Sequence, residues 1–132
     1  MSVTLVIVSH SAKLAEGVAE LVSQMNAGLL VQAVGGTADG TLGTDATRIH
    51  AALQEATRDG DEALILMDLG SAYLSSTLAL ELLDEAARGR VALAEAPLVE
   101  GAFLAAFEAA MGADLATVKA AAEEGRGLKK MG

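Results

Sequence analysis

Two histidines and no cysteine bound the chemistry this chain can offer. His10 stands between Ser9 and Ser11, just past the run Val3-Thr4-Leu5-Val6-Ile7-Val8, while His50 lies far along the sequence. Imidazoles so distant in sequence, with no thiolate to join them, make a poor metal site, and none is expected. His10 can instead act as a nucleophile if one ring nitrogen attacks while the other donates its hydrogen to a carboxylate. That partner fixes the tautomer and stabilises the positive charge that develops on attack. Asp68, which ends the run Ala63-Leu64-Ile65-Leu66-Met67, is the only carboxylate placed immediately at a strand end to do this. Small residues surround the pair: Ser11 after His10, Gly70 and Ser71 after Asp68, and the turn Gly35-Gly36-Thr37. Amides in such turns and at helix starts hold phosphoryl oxygens. Phosphoryl transfer needs mostly positioning and charge stabilisation, and these residue types supply both.

Each of these residues also has a plainer reading. A histidine at a strand end can be a solvated loop residue or a cap. Asp68 can serve only to cap the helix behind it, Gly35 and Gly36 can merely turn the chain, Ser71 can be a helix cap, and His50, beside the apolar stripe of a helix, reads as surface. Other chemistries fare worse on the same loops. A flavin binder wants a fuller Ser/Thr/Gly phosphate loop and aromatic walls, and a response regulator wants an acidic pair after the first strand, where Ser9 and His10 stand. Neither a Walker loop nor a Gly-x-Gly-x-x-Gly fingerprint is present.

These residues need a scaffold that brings separate loops to one rim. Val3 to Val8 reads as a buried central strand, and Leu14, Val18, Leu21, Val22 and Met25 recur as one stripe of a helix that Ser11 could cap. Leu29 to Val34 is a second strand, and Thr44 or Asp45 would cap a helix through Ile49, Leu53 and Ala56. Ala63 to Met67 is a third, followed by a helix with Leu74, Leu78 and Leu82 along one side. Arg90 to Ala94 makes a fourth strand, and two Ala-rich helices follow Pro97, about 99–111 and 114–124. Strands alternating with helices give an α/β fold: an open, mostly parallel sheet with helices on both faces and right-handed crossovers. Ligands then bind beyond the carboxyl ends of the strands, where successive connections leave to opposite faces. One domain over residues 1–124 is expected, with a frayed tail at 125–132.

Composition narrows the partners. Eighteen acidic and nine basic residues give a formal charge of −9, which repels nucleic acid and anionic membrane faces and favours basic or mixed-charge proteins. Only Phe103, Phe107 and Tyr73 are aromatic, too few for base or flavin stacking. The apolar start is too short to span a bilayer and has no basic segment before it, so the expected location is the cytoplasm.

Four segments, Leu5-Val6-Ile7-Val8-Ser9-His10-Ser11, Gly43-Thr44-Asp45, Met67-Asp68-Leu69-Gly70-Ser71-Ala72 and Ala96-Pro97-Leu98-Val99-Glu100-Gly101, together resemble the phosphotransfer subunits of dihydroxyacetone kinases. The resemblance spans residues 1 to about 120 and extends to the mannose-type enzyme IIA domains of the sugar phosphotransferase system. It implies that His10 is phosphorylated at Nε2 by the histidine-containing phosphocarrier protein, with phosphoenolpyruvate as the ultimate donor and no cofactor bound directly. Phosphate would then pass to ADP in the nucleotide subunit of the kinase, which serves a dihydroxyacetone-binding subunit. Asp68 matches the acid that orients the ring, and Ser71 and Gly35-Gly36-Thr37 fall where phosphate-binding backbone is expected. The family is commonly dimeric, and the Ala-rich C-terminal helices offer a surface for it. Mannose-type relatives carry a fifth, antiparallel strand with no clear candidate here, so four to five strands are expected. Some relatives carry phosphocarrier and enzyme I-like domains after this one; the chain stops before them, which implies that those proteins act in trans. Two alternatives stand beside this reading, a sugar-transport enzyme IIA that passes phosphate to a IIB domain and a non-catalytic α/β interaction module.

Overall fold

A computed structural model describes residues 2–132. Val3–Ser9 forms β1, buried along its whole length because β-branched and aliphatic side chains leave on both faces. Val31–Gly35 (β2) and Glu62–Met67 (β3) flank it, and Val91–Leu93 (β4) extends β3. The sheet has four strands in the order β2-β1-β3-β4, and all the pairings are parallel. Among the described residues no fifth strand forms.

The period-two alternation of β1 and β3 divides the core. Val3, Leu5, Ile7, Leu64 and Leu66 face one helical layer, made by Ala12–Ser23 (α1), Leu98–Ala110 (α5) and Leu115–Glu124 (α6). Val6, Val8, Ala63 and Ile65 face the other, made by Ala46–Ala56 (α2), Gly70–Glu81 (α3) and the short Glu85–Arg88 (α4). Each fully buried Leu, Ile or Val is worth about 1.5–3 kcal/mol. Because the β1–β2 connection uses one layer and the β2–β3 connection the other, the chain switches faces between β1 and β3. That boundary is where the sheet opens a crevice.

Helix starts follow the expected chemistry. The Ser11 side chain caps α1 by accepting from the Leu14 amide, and Asp45, rather than Thr44, caps α2 by accepting from the amides of Thr47 and Arg48. Thr44 points elsewhere and shares a 2.5 Å hydrogen bond with Ser75 Oγ.

Several expectations are corrected. On α3 the line Leu74, Leu78 and Leu82 faces solvent, and Ala72, Ser76 and Ala79 are buried instead. Small residues let α3 lie close on α2, so the larger leucines are turned outward. The helix α4, capped by Asp84, was not read from the sequence. His50 is half-buried, with Nε2 enclosed and unpaired, rather than a surface residue. Packing also continues past residue 124. Gly125–Gly127 forms a 3-10 turn, a Cβ on Gly125 would lie 2.9 Å from the Gly101 amide, and Lys130 pairs with Glu100 at 2.9 Å.

Candidate functional site

β1 and β3 end side by side, Val8 opposite Met67, so the residues that follow them meet at the crevice. The Asp68 amide donates to Val8 O, tying the two strand ends together. From this footing the Asp68 carboxylate reaches back under the β1 loop. One oxygen, Oδ1, accepts from the Leu69 amide at 2.7 Å and lies 2.9 Å from His10 Nδ1. The other, Oδ2, accepts from Ser9 Oγ and from the His10 amide, both at 2.9 Å.

Burial is the largest single influence on the Asp68 carboxyl and raises its pKa. Hydrogen bonds from the His10 amide, the His10 ring, the Ser9 hydroxyl and the Leu69 amide together outweigh it and hold the group below its ordinary value. Asp68 is therefore ionised at neutral pH and can only accept. Nδ1 of His10 must carry the ring hydrogen, and Nε2 is left with its lone pair free to attack. That lone pair is met by Ser71 Oγ at 2.6 Å, which donates to it. The His10 side chain keeps a quarter of its surface exposed, so a partner can reach Nε2.

The backbone of His10 is fixed as firmly as its ring. Its carbonyl accepts from the Gly43 amide at 2.8 Å, and Ser9 Oγ accepts from the Ser11 amide at 3.0 Å. Gly35 lies directly behind this loop, and a Cβ there would come within 2.3 Å of Ser11 O. Gly36, at φ +73°, donates to Ser9 O, and Thr37 donates to Thr41 O.

The expected site residues thus divide. His10, Asp68 and Ser71 meet, and Gly70 opens α3 next to them. Among the described residues no side chain caps α3, whose amides at Gly70 and Ser71 have no partner within the helix. The helix starts behind Leu69 and the Ser71 hydroxyl is engaged with His10 Nε2, so Ser71 is not the helix cap of the plainer reading. Ser11 spends its side chain on capping α1. Gly35, Gly36 and Thr37 correct the expectation of a phosphate-binding turn, because the amides of Gly36 and Thr37 are already used. The turn braces the His10 loop from behind.

Two contributors were missed in the sequence. Ser9 is fully buried and joins Asp68 to the His10 loop; a lone hydroxyl ending an apolar strand was the available signal. Arg48 donates from Nη1 to both Gly35 O and Gly36 O at 2.8 Å, clamping the brace. Beside Asp68 a cleft of about 640 Å³ opens between Gly70 and Tyr73 of α3 and Lys119 and Glu123 of α6. Among the described residues no cluster of side chains could hold a metal ion, and no helix is long and apolar enough to cross a membrane.

Comparison with known proteins gives four findings. A family model described as the PTS system fructose IIA component matches residues 4–119. The phosphoryl donor subunit DhaM of the PEP-dependent dihydroxyacetone kinase of Klebsiella michiganensis is 47% identical over 86% of this chain, which spans 25% of that protein. The phosphoryl donor subunit DhaM of PEP-dependent dihydroxyacetone kinase 2 of Listeria innocua is 41% identical, covering 80% of this chain and 85% of its own length. A crystal structure described as that of an unknown function protein, EF1359, superposes with a TM-score of 0.84 at 42% identity, covering 93% of this chain and 94% of that one.

Proposed function

The chain belongs to the family of mannose-type enzyme IIA domains described as the PTS system fructose IIA component, and from that premise we propose that it is a phosphohistidine carrier serving a dihydroxyacetone kinase. The observation that carries the proposal is the Asp68–His10–Ser71 line, with the ring hydrogen held on Nδ1 and the lone pair of Nε2 aimed outward. The names of the relatives supply the kinase.

Nε2 attacks the phosphorus of a phosphohistidine on the phosphocarrier protein, the donor's P–N bond breaks, and its electron pair stays on the donor's ring. The Nδ1 hydrogen does not leave, and Asp68 offsets the positive charge that builds on the imidazole. Ser71 Oγ must give up Nε2 as the new bond forms, and its hydroxyl then turns to a phosphoryl oxygen beside the Gly70 and Ser71 amides. In the second half-reaction ADP held in the kinase's nucleotide subunit takes the phosphoryl group, and the ATP so formed phosphorylates dihydroxyacetone in the third subunit. Phosphoenolpyruvate, through enzyme I, stands at the head of the chain. The reading places the protein in the cytoplasm with those partners.

Incubation with phosphoenolpyruvate, enzyme I and the phosphocarrier should introduce one acid-labile, base-stable phosphate, absent from His10→Ala. Presenting the phosphorylated protein with either the ADP-loaded kinase subunit or a transporter IIB domain then decides the acceptor. Transfer to IIB alone would replace the kinase reading by the transport one, and failure to label would leave an interaction module.

A further inference from the structure

We propose that Lys13 is a further phosphoryl-contacting residue, its ammonium meeting the phosphoryl group on His10 from the side opposite Ser71; the inference rests on the phosphohistidine reading above and deepens it. Lys13 is the second residue of α1, two positions past the Ser11 cap and three past His10. No other Lys or Arg, and no Asp or Glu, occurs before Glu16.

Lys13 stands apart from the other cations. Of the nine basic residues, three pair with carboxylates and four donate to backbone carbonyls. Lys13 and Lys129 make neither contact among the described residues, and Lys129 lies in the C-terminal tail. The placement of Lys13 is also electrostatically poor. A helix N-terminus carries partial positive charge, so its first turn favours acids and disfavours a lysine. Acids outnumber bases in this chain by eighteen to nine, yet the first turn of α1 has none. Glu16, one turn on, is not paired with Lys13, and a lysine N-terminal to a glutamate is the weaker order for a helical pair. A lone cation at the wrong end of a helix is stabilised once an anion sits beside it.

The site supplies that anion. A phosphoryl group carries about −1.5 to −2 at neutral pH. On Nε2 it would be met by the Ser71 hydroxyl and the open amides that begin α3, all of them dipoles rather than charges. Asp68 is itself an anion, and Arg48 Nη1 is committed to Gly35 O and Gly36 O. Cations aimed at the transferring oxygens are a recurring part of phosphoryl-transfer sites, and in this one only Lys13 is free. α1 and α3 belong to opposite helical layers, so their first turns bracket the mouth of the crevice from its two sides. A compact charge on a flexible four-carbon stem can swing across it. No bond to Lys13 is made or broken: the donor's P–N bond opens, the Nε2–P bond forms, and the ammonium keeps its three hydrogens and donates to phosphoryl oxygens.

The experiment labels the whole chain from phosphoenolpyruvate through enzyme I and the phosphocarrier, and reads both the rate and the phosphorus-31 shift of the phosphohistidine against pH. Lys13→Met should slow labelling at least about tenfold. It should also raise the titration midpoint of the phosphoryl oxygens by at least about half a pH unit, because a neighbouring cation favours their ionised form. The other groups facing those oxygens, the His10 ring, Asp68 behind it and Ser71, are common to both proteins. Lys13→Arg should hold the rate within about threefold of wild type and keep the midpoint low. Lys129→Met, the same loss of charge in the tail, should leave the rate within about twofold. The thermal midpoint of Lys13→Met should be unchanged or higher, since α1 loses a disfavoured cation. A Lys13→Met protein that matches wild type in both readings overturns the inference. So does one that labels slowly with its phosphorus titration unmoved, which would put Lys13 against the phosphocarrier's surface. A wild type that takes no label at all brings down the phosphohistidine reading itself.

Discussion

Replacing Asp68 by Asn separates the charge of this residue from its shape. With Nδ1 2.9 Å from Oδ1, the centres of charge of an imidazolium and a carboxylate lie about 4 Å apart. At an effective dielectric of about 20 that pair is worth about 4 kcal/mol. If about half a unit of positive charge has built on the ring at the transition state, Asp68 lowers the barrier by about 2 kcal/mol, or about 30-fold in rate. A second loss compounds the first. The four donors around Asp68 suit two accepting oxygens, and an amide nitrogen has to face two of them. If it faces Nδ1, the ring hydrogen moves to Nε2 and the nucleophile is lost; if it faces Ser9 and the His10 amide, that amide loses its partner at about 1–3 kcal/mol. Asp68→Asn should therefore slow labelling from the phosphocarrier by at least about 30-fold, and Asp68→Ala by about 10²-fold or more. Rapid-quench labelling at pH 7 reads the rate, and nitrogen-15 shifts of the imidazole read the tautomer. A folded Asn variant that transfers within about threefold of wild type, with Nδ1 still protonated, would reduce Asp68 to a capping residue.

Stability should depend on pH through the same group. The folded Asp68 carboxyl titrates below its ordinary value of 3.8, so as pH falls the unfolded chain takes up that proton first. Its contribution is fully present above about pH 4 and is lost as pH drops through the folded value. Urea unfolding between about pH 6 and pH 2.5 should thus show wild type losing stability more steeply than Asp68→Asn below about pH 4, and parallel curves would refute the linkage. Gly35→Ala places a Cβ against rigid backbone at Ser11 and Ala12; a loss of about 2–4 kcal/mol is expected in chemical denaturation, and a loss under about 0.5 kcal/mol would show that the brace yields. Leu69→Glu, at an exposed position beside Asp68, should weaken transfer from the phosphocarrier and to the ADP-bearing subunit together, mainly through k_off. A folded mutant impaired in neither half-reaction, with circular dichroism as the check, would contradict a shared footprint.

Most of the scaffold was legible because its signals are local. A β-branched and aliphatic run from Val3 to Val8 has no other stable place than a strand covered on both faces, and Ser11 is a cap by its side-chain chemistry alone, whereas the choice of Asp45 over Thr44 needed the structure. His10 and Asp68 were legible as a pair because parallel strands of an open sheet deliver their ends to one rim. What failed depended on tertiary packing. Whether Leu74, Leu78 and Leu82 or Ala72, Ser76 and Ala79 face the core cannot be told from periodicity, since neither line carries a charge, and only the closeness of α2 decides it. The role of Gly35-Gly36-Thr37 failed similarly. A glycine turn that offers amides to a phosphate and one that uses them on a neighbouring loop have the same composition, and the choice rests on how near β2 comes to Ser11. Arg48 could not be read at all, because its acceptors are backbone carbonyls.

That outward turn of α3 bears on how, under the proposed function, a carrier so acidic could be served by two partners. From Gly70 to Leu80 the helix has no charged residue, and with Leu69, Tyr73, Leu74 and Leu78 exposed it forms a neutral apolar rim that begins beside His10. Under the proposed function donor and acceptor must each bring a reacting atom to the same nitrogen of His10, so their footprints overlap and neither may linger. A net charge of −9 acts at a distance and raises the rate at which basic or mixed-charge partners arrive. A rim without charge adds no ion pairs to be broken on leaving, and its small apolar area keeps residence short. Steering and release are thereby assigned to different parts of the molecule, and each can be altered without the other: surface charge far from the rim should change k_on and its salt dependence, while Leu69 and Tyr73 should change k_off.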